Sequence, residues 1–295
     1  MLGVVNLDKP VGPTSHDMVA LMRRLTGTRR IGHAGTLDPL ASGVLPILVG
    51  AATRFSEELT AGRKRYEAVI RLGWRSATDD AEGPIEPGSA PPGAEVAVAA
   101  LSDFIGTFAQ RPPAFSARKI GGRTAHRAAR AGTPVDLPAR TVTVESLDLL
   151  AVEGGPEWLD LRVDLRCGPG TYVRSIARDL GDALGCGGYL AALRRTEAAG
   201  LRADDGLRPE RLEELAAAGR LASALIPIGE LLSLPRLEIG EAAGDRFRHG
   251  AVVRIDGVTS VVGRHAVFVA RQLVGVGTLE AGLLQPDKVI GEVTP

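Results

Sequence analysis

One short segment, residues 32–46, concentrates residue types that could carry chemistry. It reads Gly-His-Ala-Gly-Thr-Leu-Asp-Pro-Leu-Ala-Ser-Gly-Val-Leu-Pro. Glycines and prolines confine its polar residues and apolar residues bound it, a pattern that predicts a rigid loop. Asp38 precedes Pro39, which pushes its backbone away from helical geometry. A carboxylate held in such a loop can act as a nucleophile or a base, whereas the Asp-Pro dipeptide alone more often only starts a turn.

Signatures of other enzyme classes are absent from the sequence. It has no Walker A loop, no G-x-G-x-x-G after a strand, no H-E-x-x-H and no G-x-S-x-G. The five histidines are scattered without ligand spacing, and the two cysteines, Cys167 and Cys186, lack the C-x-x-C spacing of a structural zinc site. We therefore expect neither a metal nor another cofactor.

Charge is balanced overall but segregated along the chain. The 295 residues contain 35 Lys+Arg and 35 Asp+Glu, which excludes a uniformly basic protein that coats nucleic acid. Residues 76–105 hold six acids and no Lys or Arg, and their Pro/Gly-rich centre predicts a surface excursion followed by a helix. Residues 106–140 hold seven basic residues against Asp136 alone, a patch of about +6. Such a patch is either a solvated surface or a polyanion site.

Periodicity predicts the elements that position Asp38. Strands are predicted at Val4–Leu7, Tyr66–Leu72 and Leu159–Cys167, the last alternating apolar with charged residues. Two helices are predicted, one capped by Ser15 and ending at Gly27, the other capped by Thr171 and ending at Gly185, with Arg174 and Arg178 off its apolar stripe. Strands mixed irregularly with helices predict an α+β fold with a mainly antiparallel sheet.

The pattern changes after Pro235. Short β-type runs predict a small all-β appendage with strands at Val252–Ile255, Val258–Val262, Ala266–Ala270 and Leu273–Leu279. We find no internal repeat. The N-terminus lacks the regions of a signal peptide, and no stretch reaches the roughly 18 apolar residues of a membrane helix. With only two cysteines, these features predict a cytoplasmic protein.

Six motifs, in order, resemble those of the TruB-type tRNA pseudouridine-55 synthases. Residues 32–46 resemble the catalytic motif of that family. The other matches are Asn6–Ser15 with its N-terminal motif, Lys64–Tyr66 with its tyrosine motif, Phe115–Lys119 with its basic loop, Gly170–Ser175 with its arginine motif, and Leu193–Arg195. The matches extend over about two-thirds of the chain.

The resemblance implies both a fold and an activity. It implies a pseudouridine synthase catalytic domain over residues 1–230 and a C-terminal module over residues 235–295, similar to a PUA-type RNA-binding domain. It further implies that the protein isomerises uridine 55 in the T loop of tRNA to pseudouridine without a cofactor. The expected partner is the T arm of tRNA, with no membrane and no obligate protein partner.

The resemblance also implies roles for individual residues. Asp38 would be the essential carboxylate, Tyr66 would stack on the target base, and Arg174 would pair with Asp38. The uridine pocket would be lined by Tyr66 together with His33, Tyr172 and Leu193. Contacts to the RNA backbone are expected from Lys64, Arg65, Arg118, Lys119 and Arg123. Burial should raise the pKa of Asp38, and the guanidinium of Arg174 should oppose that shift.

Two other functions remain as alternatives. A non-catalytic RNA-binding or RNA-folding protein on the same scaffold is disfavoured because Asp38, Tyr66 and Arg174 are all retained. An Asp-dependent nucleoside or glycoside hydrolase lacks an evident second carboxylate in a matching motif and would not explain the basic stretch.

Overall fold

The computed structural model describes residues 1–115, 137–255 and 262–291, together with the backbone of residues 119–120 and 123–124. The helices are α1 (Ser15–Thr26), α2 (Ser56–Thr60), α3 (Ala94–Ala99), α4 (Val173–Ala183), α5 (Pro209–Ala217) and α6 (Glu241–Arg248). The strands before α4 are β1 (Gly3–Lys9), β2 (Ile31–His33), β3 (Ala41–Val49), β4 (Lys64–Leu72), β5 (Trp74–Ser76), β6 (Ile85–Pro87), β7 (Gly106–Gln110), β8 (Lys119–Ile120), β9 (Arg123–Thr124), β10 (Arg140–Gly154) and β11 (Leu159–Cys167). The strands after α4 are β12 (Gly188–Ala198), β13 (Leu201–Arg202), β14 (Arg236–Glu238), β15 (Val253–Arg254), β16 (Gly263–Val269), β17 (Gln272–Glu280) and β18 (Leu283–Val289).

One large sheet organises the first four-fifths of the chain. Its order is β1-β3-β12-β4-β11-β10-β7, with β2 beside β3 and β13 beside β12. Strands β3 and β12 pair in parallel, whereas β1 with β3, β12 with β4 and β4 with β11 pair antiparallel. The predicted α+β fold with a mainly antiparallel sheet is therefore confirmed. This order places β3, β12 and β4, which border the candidate site, side by side.

Strand β11 shows why the sheet has one apolar and one charged face. Its alternating apolar residues, from Leu159 to Cys167, are all buried in the main core. The charged residues between them point to the other face, where Asp160 pairs with Arg71 and Asp164 with Arg65. A strand with this alternation must lie half-buried in a sheet, as predicted.

Helix α1 begins one residue earlier than predicted. Thr14, not Ser15, is the N-cap: the Thr14 hydroxyl accepts from the N–H of Asp17, and the Asp17 carboxylate accepts from the N–H of Thr14. This reciprocal pair satisfies two backbone donors of the first turn. Ser15 is buried and bonds elsewhere. Gly27, in the left-handed conformation, ends the helix as predicted.

Helix α4 also departs from the prediction in two ways. Its N-cap is Tyr172 rather than Thr171, whose hydroxyl donates instead to the carbonyl of Gly168. Arg174 is only 5% exposed although it lies off the apolar stripe. The helix is therefore covered on more than its apolar face, and Arg174 reaches inward from its first turn.

The C-terminal unit is not all β. Its sheet has the order β14-β16-β17-β18-β15, and helix α6 packs on it through the fully buried Phe247. Three predicted runs correspond to β15, β16 and β17, and β18 was not predicted. Most of the predicted strand Val258–Val262 lies outside the described residues. Helix α6 has few apolar residues, so its sequence shows no stripe that could have revealed it.

The C-terminal unit shares a hydrophobic core with the first part of the chain. Val44, Leu48 and Phe55 pack in one cluster with Val276 and Ile290. The two parts are therefore joined by buried apolar contacts rather than by a linker alone.

Two kinds of feature are missing from the described residues. None of their helices is long and apolar enough to span a membrane. No group of three or more His, Cys, Asp and Glu side chains among them could hold a metal ion.

Candidate active site

Asp38 lies in the loop between β2 and β3, and the N-terminal segment holds this loop from one side. The hydroxyl of the buried Ser15 donates to the carbonyl of Leu37 and accepts from the Leu37 N–H, both at 2.9 Å. The Gly12 N–H donates to the carbonyl of Pro39 at 2.8 Å. The backbone on both sides of Asp38 is therefore fixed by hydrogen bonds.

Lys9 adds a buried cation to the same support. Its Nζ donates to the carbonyls of Pro10 at 2.9 Å, Pro13 at 2.7 Å and Pro39 at 3.4 Å. Burial lowers the pKa of Lys9 to about 8, and the negative charge of Asp38 opposes that shift. Lys9 thus ties the N-terminal turn to the loop that carries Asp38.

Arg195 holds the other side of the loop. This arginine is 1% exposed, and its guanidinium donates to the carbonyls of Val44 at 2.7 Å and Gly35 at 2.9 Å. Strand β12, which carries Arg195, runs so close to β3 that a Cβ at Gly43 would lie 2.1 Å from the Arg195 carbonyl oxygen. Gly43 also has φ +103°, so both space and conformation require glycine there.

Arg174 lies between two carboxylates. Its Nη2 is 3.0 Å from Oδ2 of Asp38, and its Nη1 is 3.2 Å from Oδ2 of Asp80. The same guanidinium donates to the carbonyls of Thr78 at 3.1 Å and Phe115 at 2.9 Å. Five N–H donors in a rigid plane make this fourfold arrangement possible, and a lysine ammonium could not reproduce it.

The electrostatic environment of Asp38 favours its protonated form more than water does. Burial raises the pKa of Asp38 above its usual value, Arg174 opposes the shift, and the negative charge of Asp80 adds to it. The directions match the expectation from the sequence. A carboxylate with a raised pKa beside a fixed cation is typical of functional positions.

Tyr66 lies next to this group on β4. It is 7% exposed and stands opposite Leu165 on one neighbouring strand and Arg195 on the other. Burial raises the pKa of the phenol, and the Arg195 guanidinium opposes that shift. The structure thus brings Tyr66, Asp38 and Arg174 into one site.

The three remaining pocket candidates border the same site. His33 ends β2, and its buried Nδ1 has no hydrogen-bond partner within the described part of the chain. Burial lowers the pKa of His33, so it is neutral at pH 7. The buried side chain of Gln110 bonds both backbone groups of Tyr172, at 2.9 and 3.0 Å. Leu193 lies beside Ala41, just after the Asp38 loop.

Of the five residues expected to contact the RNA backbone, the structure describes the side chains of Lys64 and Arg65. Lys64 is half-buried and its Nζ donates to the carbonyls of Thr60 and Gly62 at 2.7 and 2.6 Å. Arg65 lies on the charged face of the sheet and pairs with Asp164 and Glu197. These contacts give neither residue support as a phosphate ligand. Arg118 and the side chains of Lys119 and Arg123 lie outside the described residues.

Sequence reasoning missed several residues that build the site. Asp80 was assigned to a surface excursion, yet it is 1% exposed and also accepts from the Thr78 hydroxyl and the Glu82 N–H. Lys9 and Arg195 were quoted only as parts of motifs. The sequence did contain one sign that both belong to the site. Each is a cation inside a matched motif and is flanked by residues typical of strands.

Comparisons with known proteins show the family of this chain. The description of a TruB family pseudouridylate synthase N-terminal domain matches residues 23–173, and that of a tRNA pseudouridylate synthase B C-terminal domain matches residues 174–233. This chain belongs to the TruB family. Curated TruB-family relatives include proteins named tRNA pseudouridine synthase B. The protein from Ralstonia nicotianae is 39% identical over 98% of this chain and 94% of its own length. That from Acaryochloris marina is 42% identical over 98% and 99%.

Solved structures show the same fold. The chain resembles one in a crystal structure of a Cbf5-Nop10-Gar1 complex with a TM-score of 0.74 and 26% identity, over 97% of this chain and 84% of that one. A chain in a structure of an H/ACA RNP bound to a substrate RNA containing 2'-deoxyuridine gives a TM-score of 0.75 at 24% identity, over 99% and 86%. The fold shared with these chains thus extends over nearly the whole chain, including residues after 233.

Proposed function

We propose that this TruB-family chain isomerises uridine 55 in the T loop of tRNA to pseudouridine, with Asp38 as the catalytic carboxylate. The observation that carries the proposal is the 3.0 Å contact between Asp38 and Arg174 in a loop held from both sides. The relatives named tRNA pseudouridine synthase B support the same activity.

The reaction requires few catalytic groups. The bond between N1 of uracil and C1' of ribose breaks, the uracil turns while it stays bound, and a bond from C5 to C1' forms. N1 gains a proton and C5 loses one, so the reaction is an isomerisation with no net redox change. A carboxylate can add to a carbon of the base or sugar, or remove a sugar proton, as carboxylates do where glycosyl bonds are cleaved.

The neighbours of Asp38 have distinct roles in the proposal. Arg174 keeps Asp38 ionised and oriented, because its guanidinium stays charged when buried and is itself fixed by Asp80. Tyr66 and Tyr172 hold the base by stacking, worth about 1–3 kcal/mol per base. The unpartnered Nδ1 of His33 is available to a polar group of the RNA.

The proposal extends to RNA binding and to the C-terminal unit. Extracting a stacked nucleotide from a folded loop costs a few kcal/mol, which contacts to the RNA must offset. The basic residues Arg118, Lys119 and Arg123 remain candidates for such contacts. Residues 235–295 are proposed as a PUA-like RNA-binding module next to a catalytic domain of residues 1–230. The protein would act in the cytoplasm, where tRNA is modified.

The non-catalytic alternative is less well supported. A protein that only binds RNA gains nothing from a carboxylate whose pKa burial raises, and removing that charge from water costs free energy. The loop around Asp38 is also held by two cations that have no evident use in a simple binding surface.

The test compares Asp38→Asn with the wild type on a T-arm RNA hairpin. Asn keeps the size of the side chain but removes its charge, so pseudouridine should be undetectable while RNA affinity stays within about tenfold. Asp148→Asn, an exposed carboxylate on β10, is the control and should leave turnover unchanged. A hairpin with cytidine at position 55 should not be modified by the wild type. Normal turnover by Asp38→Asn would refute the proposed mechanism, and modification at another uridine would refute the proposed position.

A further inference from the structure

A second group of cations lies at the end of α1, outside the basic stretch. Residues 23–30 read Arg-Arg-Leu-Thr-Gly-Thr-Arg-Arg, with four arginines and no acid. All four arginine side chains are exposed. In a chain with zero formal charge, this density creates a local positive surface.

Three of these arginines have no carboxylate partner among the residues that the structure describes. Arg24 pairs with Glu213 at 2.7 Å. In the described part of the chain, no carboxylate lies within 4.0 Å of Arg23, Arg29 or Arg30. The charged face of the main sheet is different, because Arg65, Arg71 and Arg162 each pair with an acid there. No carboxylate of the described residues therefore neutralises the positive charge of Arg23, Arg29 and Arg30.

Two of the three are also held in place. The Nε of Arg30 donates to the Thr53 hydroxyl at 3.1 Å, and Nη2 of Arg23 lies 3.5 Å from the carbonyl of Ile31. Each bond uses one edge of the guanidinium. Because it restricts the side chain, it reduces the entropy lost when the remaining N–H groups bind a ligand. Arg23 and Arg30 thus flank the first residue of β2.

The surface leads directly to the candidate active site. Strand β2 runs from Ile31 to His33, so about 7 Å of extended chain separates these two residues. Gly32 lies against Thr53, because a Cβ at Gly32 would be 3.5 Å from the Thr53 methyl. Beyond His33 lies an open groove of about 550 Å³, lined by residues that include Thr36, Ser56, Thr60 and Pro169.

We infer that Arg23, Arg29 and Arg30 form a phosphate-binding surface for the RNA strand that reaches the groove at His33. The inference rests on the proposed function, because it takes the RNA as the substrate. Guanidinium groups suit phosphate oxygens because their paired N–H donors match them two at a time. The groove walls carry a histidine and three hydroxyl residues, which suit a sugar-phosphate strand, and one exposed carboxylate, Glu57, whose charge is offset by Lys288 at 3.1 Å.

The experiment measures binding of a T-arm RNA hairpin by Arg29→Gln/Arg30→Gln over a range of salt concentrations. Two lost phosphate contacts should weaken binding by about tenfold at 0.1 M salt and lower the slope of log Kd against log salt by about 1.5–2. The control, Arg75→Gln/Arg162→Gln, removes the same charge from exposed arginines that pair with Asp182 and Glu67, and should keep the wild-type slope.

The outcomes separate this inference from the proposed function. Wild-type affinity and slope in Arg29→Gln/Arg30→Gln would overturn the phosphate surface even if the wild type makes pseudouridine. An equal loss in both double variants would also overturn it, because a general effect of net charge would then explain the result. Weakened binding together with no pseudouridine from the wild type would overturn the activity and retain the surface.

Discussion

Arg174 is shared by two carboxylates of unequal exposure. The side chain of Asp80 is 2% exposed and that of Asp38 is 36% exposed. In the proposed mechanism Asp80 would position Arg174, since it is buried, while Asp38 would be open to the substrate. The arrangement holds the guanidinium in one orientation and leaves the Asp38 side chain partly accessible.

Changing Arg174 should move the pH dependence of turnover. Without its counter-charge, Asp38 should have a still higher pKa, and the reactive anion exists only above that pKa. The acidic limb of the kcat/KM profile should therefore shift to higher pH in Arg174→Met and less in Arg174→Lys. At pH 7 the Met variant should lose about 10²-fold or more in rate, and Lys should retain part of it. Profiles that coincide with the wild type in both variants would contradict the ion-pair role.

For individual residues, the sequence predicted contacts between matched motifs better than contacts made by residues outside them. The pairing of Asp38 with Arg174 followed from two matched motifs, and the structure places them 3.0 Å apart. Asp80 was not predicted to be buried in the site, because its neighbours in sequence are acidic and small, which is the composition of an exposed loop. Only the folding of that loop onto α4 turns Asp80 inward, and no local pattern records it.

Two adjacent hydroxyl residues at the start of α1 serve different elements. Thr14 caps the helix, whereas Ser15 bonds the backbone of Leu37, next to Asp38. The sequence could not separate them, because both residue types are good N-caps and they are neighbours. The difference has separate consequences for stability and for activity.

Alanine at each of the two positions should give different results. Thr14→Ala should lower the free energy of unfolding by about 1 kcal/mol, the usual cost of a lost cap, with turnover nearly unchanged. Ser15→Ala leaves the buried N–H of Leu37 without its acceptor, which should cost about 1–3 kcal/mol and reduce turnover. Urea unfolding and kcat on the T-arm hairpin check both. Loss of turnover in Thr14→Ala with full turnover in Ser15→Ala would reverse the assignment.

Elements with strong periodicity were predicted, and those without it were not. Strand β11 alternates without interruption over its whole length, so its position and its buried face both followed from the sequence. Helix α6 contains one large apolar residue, Phe247, among charged and small ones. Its helical state depends on packing against the C-terminal sheet, a tertiary effect that local patterns do not show.

The two parts of the molecule are joined by buried charge as well as by a shared core. The Glu58 side chain, 7% exposed, lies 2.8 Å from Arg264 and 2.9 Å from Lys288 of the C-terminal sheet. Burial alone would raise the pKa of Glu58, but hydrogen bonds from Lys288 and Arg264 outweigh burial and lower it. Deleting residues 234–295 would therefore expose apolar surface and leave Glu58 without its two cationic partners. Such a truncation would not report on RNA binding alone.

Glu58→Gln tests the charged contact between the two parts of the molecule. The lowered pKa means that Glu58 stabilises the folded state above about pH 4.5 and that this contribution is lost as pH falls further. Glu58→Gln should be less stable than the wild type by about 1–3 kcal/mol at pH 7, and the difference should shrink in acid. Thermal unfolding across pH measures both. Glu57→Gln, at an exposed position, should change little, and an equal loss there would contradict the argument.

The support of the Asp38 loop by Arg195 has a consequence for the newly made protein. The carbonyl of Gly35 accepts a hydrogen bond from Arg195, which lies 160 residues later in the chain. At about 5–20 residues per second, translation takes about 8–32 s to supply it. During that interval the first three residues of β3, Ala41–Gly43, lack their parallel neighbour β12. A nascent chain of this protein therefore spends many seconds with the Asp38 loop held from one side only, and a ribosome stalled before codon 195 keeps the loop in that state.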